Sequence, residues 1–488
     1  MGLRSPGTSR RGVVVVVGTG AGGGVLIEAL SRLRPDINVV VVERVEERQD
    51  WAALDDGANA VRLEHRPAGW SDGGTVNLPM SPGWGGASLL HGGIALRGER
   101  SDYERWQAVA GRRWGPGEVS ALIDDVESTS AAEMGNPERR LDLATLSRGE
   151  RAVRDWCVNH YGSVGSLDPM TAPDAGLVPS ATTNDGRVLT VVRSHLSTAL
   201  RRPNVRIRSR TEAVRLLAEG RRVTGIELRD VASGKRTVQK VDAVVSSAGA
   251  IGSAELLLRS GIGPASDLRA VDRAVLVDMP MVGAQLRDHP TIWLRLRAAE
   301  GHGSAVQWPW HKVRCRVPAT DPDLPNVAIE AFHDFRLRAD PVRASRVLIV
   351  SYMALDCGAF GSLRPIAAAA GTTEIVLAGM RPDQKDAMIQ NFHKLARSGP
   401  VADAGFSSTA ERSNPRAVAT RSAFHLHGTC PMGIDVTNGV VDSELRVFGF
   451  DNLFVADAGV IPIAFRANTH LITKAVGLAG ARSVVEAL

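Results

Sequence analysis

Val13-Val14-Val15-Val16-Val17-Gly18-Thr19-Gly20-Ala21-Gly22-Gly23-Gly24 is the stretch that decides the fold. Five consecutive valines read as a strand buried on both faces, because β-branched side chains suit a pleated interior and no polar alternation marks a solvent side. Val25–Leu33 follows as a helix with Leu26, Ala29, Leu30 and Leu33 on one face. Asn38–Val42 is a second apolar run, closed by Glu43. The order is strand, helix, strand. At the first junction Gly18, Gly20 and Gly23 fit G-x-G-x-x-G. The first glycine permits a tight turn, the second lets a pyrophosphate approach the backbone, and the third lets helix and strand pack closely. The helix N-terminus then offers unsatisfied N–H groups and a partial positive charge to phosphates. Glu43 lies 20 residues after Gly23, where an acid can bond ribose hydroxyls and disfavours a 2′-phosphate. The fingerprint therefore predicts FAD or NAD binding, not NADP, and does not choose between the two.

The rest of the 488 residues bounds this reading. The length suggests two or three domains. Charged residues make up 23% and apolar residues 44%, ordinary for a globular chain and against wholesale disorder. Glycine is in excess, 50 residues where a usual share of ~7% gives fewer, so it should sit at tight turns and close approaches. Cys157, Cys315, Cys357 and Cys430 are scattered without C-x-x-C or zinc spacing, so neither a disulfide framework nor a metal site is expected. A reducing cytoplasm fits that usage. The net charge of +5 comes from 58 basic residues, 52 of them Arg, spread along the chain. A nucleic-acid role would want a basic stripe. Arg10-Arg11 before an apolar run mimics an export signal, but glycines interrupt the run and no cleavage site closes it. No run of 18 apolar residues predicts a membrane span.

Further along, residues 71–98 read as loop, 101–135 as mainly helical and 187–201 as a helix. Asn204–Arg208, Ala213–Leu217, Val223–Arg229, Thr237–Gln239 and Ala243–Ser247 read as strands, with a helix at Ala254–Arg259. Ile292–Leu296 and Val347–Met353 are strand candidates and Asp383–Ala396 a polar helix. Leu453–Ala456 is a strand, with a last helix from about Leu471. Nucleotide-type patterns at both ends, with different material between, predict a discontinuous domain.

Four segments resemble the glucose–methanol–choline (GMC) oxidoreductases, a flavoprotein family. Gly85-Gly86-Ala87-Ser88-Leu89-Leu90-His91-Gly92, with Arg97-Gly98 and Asp102-Tyr103-Glu104-Arg105-Trp106, is similar to its GGSSxxNG…RG…DYDxW segment. Gly249-Ala250-Ile251-Gly252-Ser253-Ala254-Glu255-Leu256-Leu257 resembles its second signature, with Ala254 in place of the usual Pro. Val282-Gly283-Ala284-Gln285-Leu286-Arg287-Asp288-His289-Pro290 resembles VGxNLxDHP, and His425-Leu426-His427-Gly428-Thr429-Cys430-Pro431-Met432-Gly433 resembles HxxGTCxMG. The motifs come in the family's order. Residues 110–185 and 300–420 carry little of the match.

The resemblance implies an α/β chain. A Rossmann-like FAD-binding domain would comprise residues 11–98, 187–290 and 424–488. A substrate-binding domain, an antiparallel sheet flanked by helices, would comprise 99–186 and 291–423. It implies FAD as cofactor, held by Gly18, Gly20, Gly23, Glu43, Gly85, Gly86, Ser88, Val214 on the adenine side, Asp457, Ala458 and Asn468. N–H groups of the helix after Asn468 would face the flavin pyrimidine. His91 stands where Asn is commonest and would line the flavin or its pocket; covalent relatives attach through the preceding position, here Leu90. The implied reaction is oxidation of CH–OH in a small alcohol or sugar-like molecule, the proton going to a base and the hydride to flavin, with O2 or another carrier as final acceptor. His425 matches the catalytic base, suited to proton transfer near neutral pH. His470 matches the second catalytic position, with Asn468 the alternative. His427 and Cys430 read as structural. A non-redox lyase of the same family, the hydroxynitrile type, is the other reading. Trp308, Trp310, His311, Phe332, His333 and Phe335 could line a substrate pocket or pack in a core. No metal, nucleic-acid or membrane partner is expected.

Overall fold

The computed structural model describes residues 12–46, 64–134, 146–162, 176–179, 190–300, 311–333, 340–408 and 418–488, apart from 72, 92–93, 95, 319, 323, 325, 357–360 and 367–372. The valine run forms a strand, Val13–Val17, at the centre of a five-stranded parallel sheet. Its order is Leu453–Val455, Ala243–Ser246, Val13–Val17, Asn38–Val42, Val205–Arg208, with Val15 facing Val244 on one side and Val40 on the other. Both faces are covered, which is why nearly every residue of the inner strands is buried. The helix Ala21–Leu33 lies against the last helix, Thr469–Ala487. They meet at glycine: a Cβ on Gly477 would stand 2.2 Å from the Gly22 carbonyl oxygen.

A second sheet is antiparallel, in the order Phe406–Ser408, Pro290–Ala298, Val347–Ala354, Val327–His333, His311–Arg316, Gly176–Pro179. Period-two alternation divides its side chains. Ile292, Leu294, Val313, Cys315, Ile329, Val350 and Tyr352 share a core with Trp156 of helix Arg148–Tyr161 and Phe392 of helix Pro382–Ala396. Thr291, Trp293, Glu330, Phe332, Ser351 and Met353 face the other way, into a cavity. The architecture is the expected α/β fold.

Three local expectations needed correction. Residues 71–98 are not all loop: Thr75–Met80 pairs with Glu64–Trp70 as a hairpin. Thr75–Met80 is an edge strand, where Pro79 and its missing N–H are tolerated. Of the helix expected over 187–201, the described helical residues are 191–199, and they include a π-helical turn at Val192–Leu196. Helices Arg100–Ala110 and Pro116–Met134 bury Tyr103, Trp106 and Ile123 in the larger core, around the parallel sheet, rather than with the antiparallel sheet.

Candidate active site

One cavity of about 530 Å³ runs from the Gly18–Gly22 turn to the inner face of the antiparallel sheet. At the first end the close backbone packing expected of the spaced glycines is present at two of them. Gly18 has φ +92°, and a Cβ there would collide with the Ser247 carbonyl oxygen at 2.5 Å. A Cβ on Gly23 would lie 2.3 Å from the Gly18 carbonyl oxygen, so only glycine allows this helix to sit on this strand. Gly20 differs: a Cβ would meet no atom within 4 Å, which leaves its backbone open to the cavity it lines. Gly20 caps the helix without a side-chain bond, so the first-turn N–H groups are available to phosphate oxygens.

Glu43 closes the next strand and lines the cavity. Burial pushes its carboxyl up, opposed by a 2.7 Å bond from Thr19 Oγ1 to Oε2 and a 2.8 Å bond from the Arg44 N–H to Oε1. Thr19 also accepts the Gly85 N–H at 3.2 Å, tying the glycine-rich turn to the Gly85-Gly86 loop. Gly85 and Gly86 are both left-handed, and a Cβ on Gly86 would stand 3.1 Å from the Gly20 Cα. Ser88 accepts the Val191 N–H at 3.3 Å and lines the cavity with Gly86 and His91. Asp457 knits three segments, accepting from the Gly249 N–H at 2.9 Å, Ser253 Oγ at 2.5 Å and the Gly459 N–H at 2.8 Å; burial lifts its carboxyl to about 6. Ala458 lines the cavity beside it. Val214 does not line it, although Thr211, Glu212 and Ala213 do, because the strand bulges between Ala213 and Arg215.

The other end gathers imidazoles. His425 bonds His289 through the two Nδ1 atoms at 2.9 Å, and its Nε2 meets Asn468 Nδ2 at 3.0 Å. Arg314 Nη1 donates to Asn468 Oδ1 at 2.7 Å and to Glu330 Oε1 at 2.6 Å. His289 Nε2 meets the Phe465 carbonyl at 2.8 Å. Burial, then the neighbouring His425, holds His289 well below the usual histidine range. Asp288 accepts the backbone N–H of His289 at 2.8 Å and of His425 at 3.0 Å, and Ser422 Oγ also donates to it; burial lifts its carboxyl to about 6. Between Ser422 and His425, Phe424 takes φ +64°, a costly conformation for an aromatic residue. Its N–H bonds Ser422 Oγ at 2.9 Å, and the residue is 41% exposed while lining the cavity.

His470 is not on the His425 imidazole. It stacks on His91, ring centroids 4.0 Å apart, with its Nε2 lacking a hydrogen-bond partner among the described residues. Asn468 ends the preceding loop in an extended conformation as the helix N-cap, so its side chain leaves the helix direction and reaches His425. Thr469, His470 and Thr473 on the first helical turns still line the cavity.

The remaining candidates separate cleanly. His427 is buried between the His425 and Ile463 carbonyls and burial pushes it down to about 4, a structural position. Cys430 is fully buried and its thiol is pushed well up. Phe332 lines the cavity and meets Trp293 edge-on at 5.6 Å, whereas His333 faces away to bond Ser147 Oγ and the Ala344 carbonyl. Trp308, Trp310, Phe335, Gly92 and Cys357 lie outside the described residues, as does the side chain of His311. Sequence reading assigned no role to Asp288 and His289, although two titratable residues inside one signature were a usable signal. Arg314 and Glu330 had none, since only strand register brings them together. Among the described residues no cluster could hold a metal, and no helix is long and apolar enough to cross a membrane.

The GMC oxidoreductase family models match residues 8–291 with their N-terminal part and 367–477 with their C-terminal part. The chain belongs to the GMC oxidoreductases. An uncharacterized GMC-type oxidoreductase of Mycobacterium tuberculosis is 26% identical over 520 residues, covering 95% of this chain and 97% of the relative. An oxygen-dependent choline dehydrogenase of Burkholderia thailandensis is 26% identical, covering 96% and 92%. Pyridoxine 4-oxidase from Mesorbium loti shares the fold with a TM-score of 0.81 at 23% identity, covering 98% and 99%. Formate oxidase of Aspergillus oryzae does so with a TM-score of 0.81 at 19% identity, covering 97% and 98%. This GMC chain is thus an FAD-dependent oxidoreductase acting on alcohol-type CH–OH donors. The open Gly20 backbone, the uncapped helix and the Glu43 carboxylate fit a dinucleotide.

Proposed function

We propose that the chain oxidises a CH–OH group of a small alcohol, with His425 as base and Asn468 as its partner. The observation that carries this is the 3.0 Å contact between His425 Nε2 and Asn468 Nδ2 at the cavity wall. A substrate hydroxyl entering between them donates its proton to the imidazole and accepts from the amide. FAD, when bound, supplies the acceptor for the α-hydride. Gly18, Gly20, Gly23 and the first turn of the helix would hold its pyrophosphate, Glu43 its ribose, and Gly86, Ser88, His91, Asp457, Ala458 and His470 would lie along it. Asn468 takes the partner role that the sequence resemblance gave to His470, on the ground of contact. Thr291, Trp293, Phe332, Ser351 and Met353 would bind the rest of the substrate.

The division into an FAD unit of residues 11–98, 187–290 and 424–488 and a substrate unit is supported by the two core clusters, with helices Arg100–Ala110 and Pro116–Met134 transferred to the FAD unit. A cytoplasmic setting is proposed on the scattered cysteines alone. The test of function is an anaerobic alcohol panel on the flavin-loaded protein, followed by re-oxidation with O2 or a dye. Flavin bleaching is expected with at least one alcohol. His425→Ala should keep its flavin and lose at least about 10²-fold in rate; an unimpaired variant removes His425 from the base role.

A further inference from the structure

The hydrogen bonds around His425 form an ordered line whose two ends have only one polarity each. Arg314 is 3% exposed and Glu330 2%, and they are direct partners across adjacent antiparallel strands. A guanidinium donates and never accepts. Arg314 Nη1 therefore fixes the neighbouring Asn468 atom, 2.7 Å away, as the amide oxygen. The NH2 of Asn468 is left facing His425 Nε2, so that nitrogen is the unprotonated one. The proton of His425 then lies on Nδ1 and is donated to His289 Nδ1, and the proton of His289 lies on Nε2 and is donated to the Phe465 carbonyl, which only accepts. Every assignment along the line agrees with every other.

We propose that Arg314, held by Glu330, is a positioning residue for the alcohol oxidation: by orienting the Asn468 amide it keeps His425 in the tautomer whose Nε2 can take a proton. This rests on the reading of His425 as the base. Without the guanidinium the amide is free to turn, and its oxygen would then face Nε2. An oxygen there favours a proton on Nε2, and because the His289 end still holds the proton on Nδ1 the result is the imidazolium, which is useless as a base. Glu330 serves two ends. It neutralises a buried cation that would otherwise stand uncompensated, and it prevents Arg314 from swinging away from Asn468.

The test is the FAD-loaded Arg314→Met/Glu330→Gln double variant, which removes both charges together, read beside Arg314→Lys. With 15N-labelled histidine, the wild type should show His425 Nε2 as an unprotonated ring nitrogen, and the double variant should show it protonated. The rate at pH 7 should fall about 10²-fold in kcat/KM with KM little changed, and the acid limb of the pH profile should move to higher pH. Arg314→Lys, whose ammonium can still donate to the Asn468 oxygen, should restore the nitrogen shifts and the profile. A double variant that loads FAD and keeps wild-type nitrogen shifts and pH profile overturns the proposal. If it does not fold, Asn468→Asp is read instead: its carboxylate cannot donate, so Nε2 should be protonated, and wild-type shifts there overturn it equally. Full activity in His425→Ala would sink the base assignment itself, a result the tautomer measurement distinguishes from failure of the Arg314 role.

Discussion

At the glycine-rich end of the cavity, Gly20, Gly86 and Gly249 bring bare backbone to the wall, whereas at the end proposed for the substrate Trp293, Glu330, Phe332 and Met353 build the wall from side chains on three strands. Backbone recognition suits the part of a ligand that is the same in every FAD. Close approach imposes it at Gly18 and Gly23, where an added Cβ would collide with backbone, whereas Gly20 and Gly249 have open space beside them. Side-chain walls can change residue by residue on a fixed sheet, which is the arrangement expected where substrates differ within one family.

The contrast can be broken first at Gly23. Gly23→Val puts a branched side chain where a Cβ alone stands 2.3 Å from a backbone oxygen. It should abolish flavin loading, measured as flavin absorbance per mole of protein; a loaded variant would show that the close approach is dispensable. The same measurement on Gly20→Ala should show an intact fold with weaker FAD retention, since its methyl meets no protein atom.

At the substrate end, Asn468→Ala should leave flavin content and Tm close to the wild type yet lower kcat/KM by about 10²-fold, or some 2.7 kcal/mol of transition-state stabilisation. A larger loss from His470→Ala than from Asn468→Ala would return the partner role to His470.

The smallest effect is on stability, beneath the helix both ends share. Lys474 is buried with Ser194 Oγ 3.2 Å from its Nζ, and burial lowers it from 10.5 to about 8. Between about 8 and 10.5 the unfolded chain holds a proton that the folded chain has released, so stability rises with pH across that window. Below it the fold carries the whole cost of a buried ammonium. Lys474→Met should therefore stabilise the protein at pH 7, by at most about 3 kcal/mol from a shift of that size and by less once the Ser194 bond is lost, seen as a higher Tm, and the gain should fade as pH approaches 10.5. A lower Tm at pH 7 would mean that the ammonium has compensation beyond Ser194.

The two ends also differ in how far they could be read from residues alone. The valine strand, the three spaced glycines and Glu43 lie within one short stretch, where local spacing is the geometry. Val214 missed the cavity because one bulged residue displaces a strand's side chains, and no local pattern marks that bulge. His470 and Asn468 were both in view, but which one reaches His425 depends on where the helix starts, and the extended N-cap at Asn468 decides it. Arg314 and Glu330 are ordinary charged residues in strands; only antiparallel register and burial give them a place beside Asn468.

The strand order of the parallel sheet has a consequence in time. Strand Leu453–Val455 closes one edge of the sheet, one strand beyond Ala243–Ser246 from Val13–Val17, and Val17 and Leu453 differ in number by 436. A ribosome adding ~5–20 residues per second needs roughly 20–90 s to cover that distance. For that interval the all-valine strand exists without the last strand of its sheet. The valines are made long before the segments that complete their sheet, so the nascent chain carries an uncovered apolar strand through that interval, the condition under which aggregation competes with folding and a chaperone that shields it has most to offer.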